Sequence, residues 1–158
     1  VMKTAKSLDL ERFMGDWFVI ANIPTYFEAK AFNPVESYRL GSNGKIETTF
    51  AFNAGASDGP AKEIKATGVV KDPINPAIWG MRFVWPLSAD YRVMFVDTDY
   101  QHTVVGRAKR DFLWIMARNQ PVDLNTLNML IDVAVAEGYE RNKILLTSWQ
   151  KQELRKAG

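Results

Sequence analysis

The 158-residue sequence predicts an all-β fold: an eight-stranded antiparallel up-and-down barrel, one α-helix packed outside it, and a short final strand. Three observations carry this. Clusters of Gly, Pro, Asn and Asp punctuate the chain about every ten residues from Pro24 onward, the spacing of sandwiches and barrels. The segments between them are rich in β-branched and aromatic residues, which suit a pleated, half-buried surface. The apolar period then changes once, near the C-terminus, from two residues to that of a helix.

DWFVIANI (16–23) is the first strand and stops at Pro24, which has no N–H for a central ladder. A loop from Pro24 to Pro34 follows. VESYRLG (35–41) and KIETTFAFN (45–53) flank Ser42-Asn43-Gly44, whose Asn-Gly tolerates positive φ and marks a hairpin. AGASDGP (54–60) leads into AKEIKATGVV (61–70), and KDPINPA (71–77), with its two prolines, leads into IWGMRFVW (78–85). YRVMFV (91–96) follows PLSAD, QHTVVGR (101–107) follows DTDY, and DFLWIMAR (111–118) follows a tight Ala-Lys-Arg link. Short links throughout favour up-and-down order over a Greek key. From Asp123 to Glu137, Leu124, Leu127, Leu130, Ile131 and Ala134 fall at helical spacing, with Asp123 as N-cap and Gly138 as the stop. KILLTSW (143–149) is the last strand and QKQELRKAG a polar tail. Residues 1–158 are expected to form one domain, with 1–9 and 150–158 peripheral.

Composition excludes several function classes. The chain has no cysteine and one histidine, His102, so disulfides, thiol nucleophiles and Cys/His zinc sites are absent from the expectation. A Ser-His-Asp triad would have to use His102, and no serine stands in a G-x-S-x-G elbow. Twenty basic and 18 acidic residues are mixed along the chain for a net charge of +2, without the basic stripe that nucleic acid requires. No run of about 18 uncharged apolar residues exists, and VMKTAKSLDL lacks the apolar centre of a signal peptide. No metal or cofactor is expected.

Gly15-Asp16-Trp17 at the start of the first strand, Thr98-Asp99-Tyr100 between the sixth and seventh, and Arg118 at the end of the eighth resemble the three sequence blocks of the lipocalins. FxPVESYRL, DFLWIMARN and the EGY after the helix resemble the bacterial outer-membrane lipocalins. This resemblance spans Leu10 to about Trp149. It implies a cavity that carries amphipathic lipids, fatty acid or lysophospholipid, without catalysis. It also implies a location at the outer membrane or in the periplasm; members of that subgroup are anchored through a lipidated N-terminal cysteine, and since this chain has none, either the cysteine lies upstream or this member is soluble, with a monomer or homodimer expected.

In an up-and-down barrel alternate connections share an end, so Trp17, the Asn-Gly hairpin, the 72–77 loop, the Thr98-Asp99-Tyr100 loop and Arg118 gather at one closed end. Arg118 is expected to lay its guanidinium on the Trp17 indole, and Asp99 to accept backbone hydrogen bonds in its own turn. Gly15 lets the chain turn into the strand. Strand alternation then assigns the lining: Val19, Ala21 and Ile23 with Trp17; Ile46, Thr48, Phe50 and Phe52; Trp79, Met81 and Phe83; Tyr91, Val93 and Phe95; Phe112, Trp114 and Met116 with Arg118. The residues expected to line the cavity are Val19, Ala21, Phe50, Trp79, Met81, Phe83, Tyr91, Val93, Phe95, Phe112, Trp114 and Met116. Residues 35–41 and 101–107 have no assignable parity. The mouth is expected from the 24–34, 54–60, 85–90 and 108–111 loops, whose rim carries Glu28, Lys30, Asp58, Asp90, Lys109 and Arg110. The same lining also fits a solidly packed barrel. Two rivals remain: an enzyme on this barrel, which would need an ionisable group facing inward, and an interaction module using Tyr26, Phe27 and Phe32.

Overall fold

The structure, a computed structural model, describes residues 1–83 and 88–151, with Phe27 described by its backbone alone. Nine strands form one sheet: β1 (Gly15–Ile23), β2 (Ala31–Leu40), β3 (Ile46–Ala54), β4 (Ala61–Val70), β5 (Ile78–Arg82), β6 (Ala89–Val96), β7 (His102–Gly106), β8 (Leu113–Ala117) and β9 (Leu145–Leu146). Neighbours pair in sequence order from β2 to β8, then β1 pairs with both β8 and β2, which closes eight strands into a barrel and leaves β9 outside on β1. Every pairing is antiparallel. The expected up-and-down architecture is therefore the one observed.

Among the described residues two complete α-helices accompany it, α1 (Leu10–Phe13) and α2 (Leu124–Ala136). Asp123 caps α2 by accepting from the Thr126 N–H at 2.7 Å, and the chain leaves the helix through Gly138 at φ +103°. Leu127, Leu130, Ile131 and Ala134 bury the apolar stripe of α2 against Met94, Val104 and Ile115 on the outside of the barrel. A second cluster, built on Phe13, Trp17, Trp79, Val93 and Met116, lines the inside. The barrel wall is thus apolar on both faces where α2 covers it, which is why LWIMA of β8 is buried at every residue.

Two boundaries and two terminal segments differ from expectation. β2 begins at Ala31 and runs through Pro34, because its ladder shifts register between Phe32 and Val35 and Asn33 takes φ 54°, so the proline sits at an irregularity that needs no N–H. The last strand shrinks to two residues, since Thr147 turns onto β1, its hydroxyl donating to the Val19 and Ile20 carbonyls, and residues 148–151 are helical. The N-terminal segment, expected at the periphery, buries Met2 and Leu8, and the Ala5 N–H bonds the Val93 carbonyl. Gln150, expected in the peripheral polar tail, is fully buried and clasps both backbone groups of Val122.

Candidate functional site

The base of the barrel is sealed by a connected aromatic and cationic set. Trp17 is fully buried and donates its indole N–H to the Phe13 carbonyl at 2.9 Å, while α1 holds the Phe13 ring 5.2 Å from it. The Arg118 guanidinium lies 3.7 Å from the Trp17 ring centroid, as the sequence predicts. Its N–H groups also reach the carbonyls of Arg12, Phe13, Asp16 and Tyr100 at 2.9 to 3.3 Å. Gly15 stands at φ +99°, and a Cβ there would meet Arg118 Nη1 at 3.3 Å, so the glycine serves both the turn and the close approach. The Tyr100 hydroxyl accepts from the Asp9 N–H at 2.9 Å, and the Arg12 guanidinium covers its ring at 4.3 Å. Thr98 offers its carbonyl to Arg12 Nη2 at 3.1 Å. In that loop Asp97, rather than Asp99, takes the backbone hydrogen bonds, from Gln101 at 2.7 Å and His102 at 3.0 Å, because its carboxylate lies under the turn that Asp99 only passes through. The His102 ring closes on the same Asp97 carboxylate at 2.6 Å.

Above this seal the inward faces carry rings in contact. Trp79 stacks on Tyr91 at 5.5 Å between centroids and meets Tyr38 edge-on at the same separation; Tyr91 in turn lies 5.2 Å from Trp114. The Tyr38 and Tyr91 hydroxyls bond each other across the barrel. Glu28, in the 3-10 turn Tyr26–Glu28 after β1, reaches inward, accepts the Trp114 indole N–H at 3.1 Å and caps its own turn through the Thr25 N–H at 3.1 Å. Glu36 sits between Trp17 of β1 and Phe50 of β3 in register, so it shares their inward face, and only 7% of it is exposed. Burial pushes both carboxyls above the ordinary carboxylate range, Glu36 well above it, with Glu28 adding a like charge; hydrogen bonds from Thr25 and Trp114 hold Glu28 back. Burial likewise pushes the Tyr38 and Tyr91 phenols upward. The interior above the seal is thus acidic and hydroxylated as well as aromatic.

Most of the expected lining is inside: Val19, Phe50, Trp79, Met81, Tyr91, Val93, Trp114 and Met116 are buried members of the interior cluster, and Phe112 packs against it half-buried. Three are not. Ala21 belongs to the outer cluster, because β1 carries a bulge between Val19 and Ala21 whose extra residue, Ile20, reverses the parity beyond it; Ile23 goes outside with it and Asn22 lies opposite Trp114 instead. Phe95 is outside for the same reason, a bulge in β6 between Val93 and Phe95 that puts Val96 on the interior cluster. Phe83 is 61% exposed, one residue past the end of β5, where alternation no longer applies.

The parities the sequence leaves open are set by pairing. Tyr38 and Glu36 face in on β2, and Thr103 and Val105, opposite Met116 and Trp114, face in on β7. Sequence reasoning missed Glu36 and Tyr38 as interior groups and took Glu28 for a rim charge. The available signal was Trp17 itself: once it points inward, its partner across β1–β2 must as well, but the register is needed to name that partner. Of the other rim residues, Arg110 is turned onto the Glu137 carbonyl at the end of α2, and Asp90 bonds Arg92 and the Ala108 N–H. Residues 84–87 of the expected mouth lie outside the described residues.

Comparison with known proteins follows the same outline. Residues 8–148 match the family profile described as Lipocalin-like domain. The chain is 32% identical over 154 residues to Temperature-induced lipocalin-1 of Arabidopsis thaliana, covering 90% of this chain and 80% of that protein. It is 30% identical over 149 residues to Outer membrane lipoprotein Blc of Citrobacter freundii, covering 92% and 80% respectively. Among solved structures, lobster apocrustacyanin A1 superposes with a TM-score of 0.70 at 10% identity, over 91% of this chain and 81% of that one, a likeness of fold.

Proposed function

The chain belongs to the lipocalin family, and from that premise we propose that its barrel binds and carries an amphipathic lipid, a fatty acid or lysophospholipid, without making or breaking a bond. One observation carries this reading. The interior is sealed at the base, where Phe13, Trp17, Ile46, Trp79 and Met116 are fully buried, yet its apolar lining is only half-buried nearer the mouth, at Phe52, Ile64 and Phe112. A tail entering from the mouth would cover those surfaces and gain about 0.8 kcal/mol per buried methylene before ordering costs. Val19, Phe50, Met81, Tyr91, Val93 and Trp114 would line its path.

A calorimetric series of saturated fatty acids and matching lysophospholipids tests the proposal. Affinity should rise with chain length until the tail meets the Trp17 seal, then level. Affinity independent of length would reject a tail-first lipid carrier. The bacterial relative, by name an outer membrane lipoprotein, supports action at the outer membrane or in the periplasm. Fractionating cells that express the natural gene checks this.

A second reading, catalysis inside the barrel, draws on one observation: Glu36 is an inward ionisable group beside a hydroxyl pair. Product formation from any member of the lipid series would favour it.

A further inference from the structure

Glu36 has no task in a barrel that merely wraps a hydrocarbon tail. Among the described residues its carboxylate accepts no hydrogen bond and has no cation beside it. Arg118 is committed on the far side of Trp17 to four carbonyls. The polar groups on the inward faces around it are Glu28, of like charge, the neutral Thr48, Thr103 and Asn22, and the Tyr38–Tyr91 pair. That pair spends one O–H on its internal hydrogen bond and leaves the other free to donate. An unpartnered buried carboxyl is costly, and a leucine in its place between Trp17 and Phe50 would cost nothing of the kind. The chamber therefore holds an unused acceptor and an unused donor within an aromatic wall.

We infer that Glu36, backed by the Tyr38–Tyr91 pair, is the inner polar anchor of the ligand and takes a hydrogen-bond-donating group, a hydroxyl or an amine, at the leading end of an apolar skeleton. The inference rests on the carrier reading and deepens it. A hydroxyl arriving here donates to the carboxyl and accepts a hydrogen bond from the spare tyrosine O–H, whereas an ammonium, which has no lone pair, makes only the bond to the carboxyl. A carboxylate arriving first would meet two acidic side chains and no cation. The ligand class is thus a lipid hydroxylated or aminated at its inner end, with any acidic head group left at the mouth.

Calorimetry on the full chain with dodecanoate, ω-hydroxydodecanoate, dodecanol and dodecylamine tests this. The ω-hydroxy acid should bind roughly tenfold more tightly than dodecanoate, the gain of one hydrogen bond to a charged or acidic acceptor. Glu36→Ala should erase that difference, and Glu36→Gln, which keeps the shape and an acceptor, should retain the hydroxyl gain. A wild-type preference for dodecylamine over dodecanol that vanishes in Glu36→Gln assigns the natural donor as an amine; the opposite preference assigns a hydroxyl. Equal affinity of the two acids, or a ranking unmoved by Glu36→Ala, overturns the anchor while leaving lipid carriage intact. Failure of all four probes to bind would overturn both.

Discussion

Trp17 has a charged neighbour on each side, and the two are treated in opposite ways. On the base side Arg118 lies 3.7 Å over its indole with its N–H groups shared among four carbonyls. On the chamber side Glu36, its register partner across β1–β2, is buried without a hydrogen bond among the described residues. A paired, half-exposed guanidinium contributes to stability; a buried, unpaired carboxyl subtracts from it. The difference teaches where each half of the barrel directs its chemistry: the base is completed by its own side chains, whereas the interior above it keeps a buried carboxyl with no protein partner among the described residues, the group on which the proposed anchor rests.

Substitutions on the two sides should separate these roles. The largest effect is expected from Trp17→Ala, which removes a fully buried indole and its contact with Phe13 and Arg118, at a cost of about 3–5 kcal/mol in denaturant unfolding. Ligand ranking should be unchanged by it. Arg118→Ala should cost less, about 2–3 kcal/mol, and the two losses should be non-additive in a double-mutant cycle because both delete the same stacking contact. Additive losses would break the base half of the comparison.

Glu36→Leu should act in the opposite direction and stabilise the empty protein by about 1–2 kcal/mol at neutral pH, while abolishing selectivity for an inner donor. Its pH dependence sharpens the point. Burial raises the folded-state pKa of Glu36 above that of the unfolded chain, so the folded state binds a proton the unfolded state has released. Stability is then full below the ordinary carboxylate pKa and falls as pH rises through the folded value. Thermal melts across that window should show this slope in the wild type and a shallower one in Glu36→Leu. A leucine variant less stable than wild type at pH 7 would mean that Glu36 is satisfied after all. The smallest effect belongs to Trp114→Phe, which keeps the ring packed on Tyr91 but loses the bond to Glu28, at about 0.5–1.5 kcal/mol. Loss of the ligand-induced fluorescence change in that variant would identify Trp114 as the reporter of the chamber.

The resemblance to the lipocalins led to the expectation of Arg118 on Trp17 beside Gly15; the sequence by itself determined the strand order, the Asn-Gly hairpin and the capped helix after β8. These rest on local periodicity, turn chemistry and capping, which act within a few residues of chain. Inward parity was also legible wherever a strand ran unbroken, as from Ile46 to Phe52 or from Phe112 to Met116. Only the tertiary structure decided what lies past the bulges of β1 and β6, where Ala21 and Phe95 turn outward, and which face of β2 is buried. Alternation is a property of one strand, but a bulge answers the twist and stagger that closing a barrel imposes on neighbouring strands. The burial of Glu36 follows from the same cause: a glutamate in a strand reads as a solvent-facing charge until the register puts Trp17 on one side of it and Phe50 on the other.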